Sequence, residues 1–411
     1  MKHFLFFISF VGLIFDCKAQ PGNQIVLGRK DSIQSEILDA KRFFYVHMPD
    51  IDTSGGAAKK RYPVAYLFDA DAQFASTVSM IQFLSTHYNS VCPEMIVVGI
   101  FHENRRKELT PTHVDAVPPY WDSVSTKSSG GAEQFISFME KELMPYIDSQ
   151  YPTQPYKILI GHSLGGLTVM QTLVHHTNLF NSYICIDPSM WWDNQNLLME
   201  VKDALEKRHF AGTSLYLGIA NTVDDGIKIN KIQADTTFDT KHMRSILKMQ
   251  GYLEKNKQNG LKYKGKYYEN DSHMSVPFIT EYDALHFLFR FYPLKINIKD
   301  ENNPDPAYLV NKIKSHYSYA SKQMGYNVYP SEELLNWDGH NFLNKKQYGK
   351  AKLLFEYYID IYPKTADANE CMGDYYQATN DTKNAIAYFM KSLTIKENAE
   401  IRKKIEKIQG K

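Results

Sequence analysis

Tyr156-Lys157-Ile158-Leu159-Ile160-Gly161-His162-Ser163-Leu164-Gly165-Gly166 is an apolar run that ends in a glycine-flanked serine and passes directly into the helical stretch Leu167 to Leu173. A serine on a sharp strand-to-helix turn has cramped backbone geometry, so the residues two positions to either side must lack bulky side chains. Gly161 and Gly165 meet that need. The Ser163 hydroxyl then projects above a sheet, and the following helix aims its unpaired N–H groups and dipole at the same point. A Gly-x-Ser-x-Gly pattern alone means little. With a strand before it and a helix after it, the stretch predicts a nucleophilic serine on a parallel α/β sheet.

On either side of this stretch, residues 24 to 290 alternate β-branched or aromatic runs with amphipathic stretches, the pattern of a mainly parallel sheet covered by helices. The runs are Arg42 to Met48, Pro63 to Phe68, Met95 to Phe101, Tyr156 to Gly161, Ser182 to Asp187, Ser214 to Ala220 and Leu261 to Glu269. Ala132 to Tyr151, with Phe135, Phe138, Met139 and Leu143 on one face, reads as the helix that delivers the chain into the Tyr156 strand.

A serine hydroxyl needs a base to take its proton during attack. His162 is adjacent, but its side chain should face away from that of Ser163. His273 is the better candidate, in a loop after the last strand-like run, at the edge where α/β sheets bind ligands. A carboxylate should orient the imidazole. Asp224 and Asp225, after the Ser214 strand, lead; Asp187 and Asp271 are the fallbacks. For the developing oxyanion, the Leu164 N–H is one donor, and the turn Asp69-Ala70-Asp71 should supply a second.

Composition supports a site-based function. The chain has 411 residues, 47 Lys plus Arg against 46 Asp plus Glu, and a net charge of +1, so no global field favours nucleic acid. Lys2 and His3 precede an apolar run from Phe4 to Phe15 that is short for a membrane span, and Ala19 fits the last position before cleavage. Residues 1–19 therefore read as an export signal, giving a periplasmic or secreted protein without an integral membrane segment. The rival is a lipid anchor on Cys17, disfavoured because Asp16 stands where a small residue is wanted. Cys92, Cys185 and Cys371 are too scattered for a disulfide framework or zinc site, and neither metal nor cofactor is expected.

Beyond Pro304 helical spacing takes over. Gly339, Phe342, Ala351 and Phe355 recur as Gly373, Tyr376, Ala385 and Phe389, each 34 residues on. This looks like two tetratricopeptide-type hairpins, with residues 304 to 332 supplying a helix that caps them against the first domain. The expected organisation is a 20–300 α/β domain and a 301–411 helical domain.

Residues 40 to 290 resemble the esterase family that includes enterochelin esterases, S-formylglutathione hydrolase, the mycobacterial antigen 85 acyltransferases and feruloyl or acetyl-xylan esterases. The segments that carry the likeness are Pro63 to Asp69, Val97 to Ile100, Arg105 to Pro111, Gly161 to Gly166 and Asp187 to Trp192. The resemblance implies an α/β-hydrolase fold and hydrolysis of a small-molecule or glycan ester through an acyl-enzyme on Ser163. It also implies that the second oxyanion donor is the N–H of Asp71, although Ala70 stands where the family has glycine. Trp191, Trp192, Arg105 and Arg106 fall on the expected rim, where they could grip a flat or anionic substrate. The competing expectation is a protein-binding scaffold that presents its C-terminal helices to a partner, with weak or no turnover.

Overall fold

The computed structural model describes residues 25–49, 60–86, 90–115, 123–223 and 229–410. Residues 1–19, with Cys17, lie outside them, as do Asp224 and Asp225. Eight strands are formed: β1 (Arg29–Ser35), β2 (Ala40–His47), β3 (Tyr62–Leu67), β4 (Ile96–Ile100), β5 (Thr153–His162), β6 (Ser182–Ile186), β7 (Ser214–Ala220) and β8 (Lys262–Tyr268). They join one sheet in the order β1-β2-β4-β3-β5-β6-β7-β8. Strand β2 runs against both its neighbours, β1 and β4, and the remaining pairs, from β4-β3 to β7-β8, are parallel.

Strands β3, β4, β6 and β7 are buried at every position, which is why their sequences are unbroken apolar runs and not alternating ones. Successive side chains still leave on opposite faces. Val64, Tyr66 and Phe68 enter one core with Leu167, Met170 and Leu173 of the helix Leu164–His175. Ala65 and Leu67 enter the other with Phe74, Val78 and Ile81 of the helix Ala70–Ser85, and with Val276, Leu285 and Leu288 of the helix Val276–Leu288. Each such side chain stabilises the fold by about 1.5–3 kcal/mol before entropy is counted. A mainly parallel sheet with helices on both faces and the glycine-flanked serine turn at its centre is the α/β-hydrolase fold.

Two local features depart from the expected pattern. Strand β1 reads Arg-Lys-Asp-Ser-Ile-Gln-Ser and carries no apolar alternation; it is a polar edge strand whose charges discourage pairing with another chain. The helix expected from Ala132 onward is continuous to Gln150 but passes through a π turn, Met139–Leu143. Pro145 sits just beyond, with no amide for the carbonyl four residues back, and the wider turn absorbs the misfit.

The helices Ala70–Ser85 and Val276–Leu288 lead away from the turns that follow β3 and β8, and a buried acid joins them. Glu281 is 2% exposed, and Thr77 Oγ1 lies 2.7 Å from its Oε2 and 3.0 Å from the Gln73 carbonyl oxygen. One hydroxyl proton cannot serve both, so a proton on Glu281 completes the set. Burial pushes the Glu281 carboxyl up to about 8, against a smaller lowering by Thr77. Between the unfolded value near 4.5 and about 8, the unfolded chain ionises and the folded one does not, so stability falls as pH rises, by about 1.4 kcal/mol per unit. Glu281→Gln is therefore expected to match wild type in thermal unfolding at pH 4.5 and to exceed it by a margin that widens towards pH 8. A constant offset across that range would refute the assignment.

The helix Pro306–Met324 has its ends in two different cores: Ala320 and Met324 pack with the sheet, whereas Leu309, Val310 and Ile313 pack with the helices beyond. Those are Glu332–Asn344, Tyr348–Ile361, Ala366–Ala378, Thr382–Ile395 and Ala399–Gln409. A methyl group on Gly339 would come within 2.1 Å of the Phe355 ring, and one on Gly373 within 2.5 Å of the Phe389 ring. Both rings are fully buried and cannot retreat, so the two helix pairs, 34 residues apart, close by the same glycine-on-phenylalanine contact. Among the described residues, no helix is long and apolar enough to cross a membrane.

Candidate active site

Ser163 stands between β5 and the helix Leu164–His175 at φ 61° and ψ −114°, a strained conformation for a residue with a Cβ. The surroundings hold it there. The Ser163 N–H donates to Ile186 O at 2.9 Å, and Ser163 O accepts from the Ser189 N–H at 3.0 Å, tying the turn to the end of β6. A methyl group on Gly161 would meet Gly165 O at 2.5 Å, and one on Gly166 would meet Ile186 O at 3.0 Å. Backbone atoms cannot yield as a side chain can, so the glycines are required by close approach. The Ser163 Oγ lies 3.3 Å from the Ser189 Oγ.

The carboxylate on His273 is Asp187. Its Oδ2 accepts from the His273 Nδ1–H at 2.6 Å, and its Oδ1 accepts from the Ala220 N–H at 2.9 Å. Asp187 follows β6, is fully buried, and adopts φ 40° with its own N–H on Gly218 O. A second imidazole shares it: His242, on the helix Lys241–Lys255, lies with Nε2 2.8 Å from the same Oδ2. Burial alone would raise the Asp187 carboxyl, but the facing His242 and His273 outweigh it and hold the group well below the usual carboxylate range. The leading expectations, Asp224 and Asp225, lie outside the described residues, and within those residues the fallback Asp187 is the carboxylate on His273. The other fallback, Asp271, accepts from Ser275 Oγ at 2.9 Å and from the Asn221 N–H through its carbonyl, so it braces the loop.

Asp187, His242 and His273 are, among the described residues, the one set of three ligating side chains with donor atoms within 4.8 Å of one another. Hydrogen-bond lengths to a shared oxygen use the ring protons that a metal would displace. His162 packs its ring 4.4 Å from that of His273, and burial, helped by the charge of His273, lowers it to about 4, so it stays neutral beside its neighbour.

The turn after β3 lies against the serine turn. Asp69 takes the left-handed conformation, φ 55°, and caps the helix Ala70–Ser85, so the positive φ falls on Asp69 and Ala70 is unstrained. The N–H groups of Ala70 and Asp71, like that of Leu164, belong to the first turn of a helix, where no carbonyl four residues back is available. Arg105 grips Asp69 with two bonds, Nε to Oδ1 at 2.6 Å and Nη2 to Oδ2 at 2.9 Å, and reaches His162 O at 3.1 Å. It thereby clamps the two helix starts together. Burial opposes and Arg105 outweighs it, leaving the Asp69 carboxyl below its ordinary value. Glu108, held by Arg42 at 2.7 and 2.9 Å and by His102 at 2.9 Å, anchors the loop that carries Arg105 and the half-buried Arg106.

The rim expected from Trp191 and Trp192 is not an open aromatic face. The rings are 6% and 1% exposed, and their N–H groups donate to His242 Nδ1 at 2.9 Å and to Thr112 O at 3.2 Å. The Arg105 guanidinium is engaged by Asp69 and the His162 carbonyl, while its side chain remains 37% exposed. Tryptophans this large bury readily once their one polar atom has a partner. Ser189 and His242 were not singled out from the sequence; Ser189 stood inside a segment quoted for its likeness, and His242 carried no local signal.

Residues 35–243 match the model of the Esterase family, described as "Putative esterase". The "Siderophore enterobactin esterase" of Emericella nidulans is 27% identical over 175 residues, 40% of this chain and 56% of that protein. The "Ferri-bacillibactin esterase BesA" of Bacillus subtilis is 34% identical over 148 residues, 33% and 51% of the two chains. The chain thus spans about half the length of these curated relatives. An "IroE-like serine hydrolase" from Shewanella oneidensis superposes with a TM-score of 0.67 at 28% identity, covering 81% of this chain and 99% of that one. With the family model matched across half of its length and the glycine-flanked serine at the centre of the sheet, this chain belongs to the esterase family of α/β-hydrolases.

Proposed function

We propose that the protein is an exported serine esterase that hydrolyses a siderophore-type carboxylic ester through an acyl-enzyme on Ser163. The observation that carries this is the strained serine immediately after β5, together with a His273–Asp187 pair whose carboxylate follows the adjacent strand β6. With the Nδ1 proton on Asp187, the His273 Nε2 is left as the base. It takes the Ser163 proton as Oγ attacks the ester carbonyl, and returns it to the departing alcohol; water then releases the acid by the same route. The first-turn N–H groups of Leu164 and Asp71 hold the oxyanion, each worth about 3 kcal/mol in the transition state. Asp187 supports the charged ring.

The names of the relatives favour a siderophore-type ester over an acylated polysaccharide. Export rests on residues 1–19. Residues 301–411 read as a separate domain of tetratricopeptide-like hairpins, supported by the repeated Gly339–Phe355 and Gly373–Phe389 contacts, and such a surface could hold a protein partner. A panel of catechol-lactone, feruloyl and acetyl esters, compared by kcat/KM, is expected to favour the catechol lactone. Preference for a feruloyl or acetyl ester would sink the substrate class, and a folded protein that takes no fluorophosphonate label would sink the serine mechanism.

A further inference from the structure

Asp187 faces two imidazoles, and the reaction above uses one. The second is locked in direction. Trp191 Nε1–H can only donate, and it lies 2.9 Å from His242 Nδ1, so that nitrogen must accept. An imidazole accepting at Nδ1 carries its proton on Nε2, which points at Asp187 Oδ2 from 2.8 Å. The bonds therefore run one way, from the indole to His242 and from His242 to the carboxylate, where His273 arrives from the other side at 2.6 Å. Both nitrogens of His242 are engaged, so it cannot serve as the base. The His242 side chain is 12% exposed against 32% for His273, and the two rings meet edge to face at 5.2 Å.

A carboxylate held by one ring and one backbone N–H can still rock about its Cβ–Cγ bond and sweep His273 with it. A second donor on the oxygen that His273 uses removes that freedom. We propose that His242, with its tautomer fixed by Trp191, is a positioning residue that holds Asp187 Oδ2 in the orientation His273 needs. This rests on the reading of Ser163, His273 and Asp187 given above. The role also explains why Trp191 is turned inward.

The test compares His242→Phe, His242→Gln and Trp191→Phe with wild type on p-nitrophenyl acetate and by the rate of fluorophosphonate labelling at Ser163. His242→Phe is expected to lower kcat and slow labelling by about tenfold to a hundredfold, the range for losing a hydrogen bond to a charged group, with KM within about twofold. Glutamine can donate to Asp187 and accept from Trp191, and should recover activity to within about threefold of wild type. Trp191→Phe should give a smaller fall in kcat than His242→Phe. A folded His242→Phe protein that labels as fast as wild type, or a glutamine variant as slow as the phenylalanine one, overturns the proposal. Should His242→Phe fail to fold, the glutamine variant and ring 15N NMR of wild type decide: a protonated Nε2 and bare Nδ1 on His242 support the arrangement, and the reverse overturns it. If wild type neither labels nor hydrolyses, the esterase reading fails separately. NMR then still judges this one, because the His273 Nδ1 proton should shift in His242→Gln less than in Trp191→Phe, and equal or reversed shifts overturn it.

Discussion

Ser163→Ala is expected to lower kcat for ester hydrolysis on the order of 10⁵-fold or more, with the thermal transition close to that of wild type. The size follows from the proposed role of Ser163 as the nucleophile of a unit whose members act together; its removal would leave only binding and the proposed oxyanion donors. The unchanged stability follows from the backbone: alanine carries the same Cβ into the same φ of 61°, so the strain is neither added nor relieved. Ser163→Gly separates the two effects. It should be as inactive as alanine but more stable by about 1–2 kcal/mol, because glycine occupies positive φ without a steric cost. Chemical denaturation of the three proteins measures this. An alanine variant that keeps a tenth of the activity would remove Ser163 from the reaction, and a glycine variant less stable than alanine would contradict the strain.

Asp187→Asn should cost about 10⁴-fold in kcat, and Asp224→Asn or Asp225→Asn less than about threefold. An asparagine amide at position 187 can place a donor against the His273 Nδ1–H, and the ring escapes by moving its proton to Nε2, the atom that must accept from Ser163. The fold also suffers, since Ala220 N–H, His242 and His273 all converge on this carboxylate. Its depressed acidity links it to pH with a defined sign. The stabilisation is complete above the unfolded value near 3.8 and is lost as pH falls through the lower native value. Acid unfolding of wild type should therefore be steeper than that of the asparagine variant. A large loss in Asp224→Asn with little in Asp187→Asn would reverse the assignment.

The sequence made the centre of the fold legible because its signals are local. A buried parallel strand must be apolar throughout, and the tight turn at Ser163 leaves no room for a side chain on Gly161, two residues before it, whereas Gly165 would take a methyl group at an ordinary contact of 3.4 Å. His273 stood out as a candidate for a related reason, since it follows a recognisable last strand. Strand β1 escaped because an exposed edge needs no apolar face. The buried Glu281 escaped because nothing near it in the chain distinguishes a neutral acid in a core from a charged one on a surface.

Steric and apolar demands between residues close along the chain made the sheet, the glycine-flanked serine turn and the 34-residue spacing of the C-terminal glycines and aromatics readable from the amino acids alone, and they put His273 forward as the candidate base. What needed three dimensions was that Asp187 meets His273, that His242 shares it, that Trp191 and Trp192 face inward, and that Arg105 is engaged by Asp69. The ends of β6 and β7 lie side by side, so a carboxylate after either strand is equally near in principle, and the choice falls to whichever side chain the surrounding backbone turns inward. Separation along the chain carries no information about direction in space.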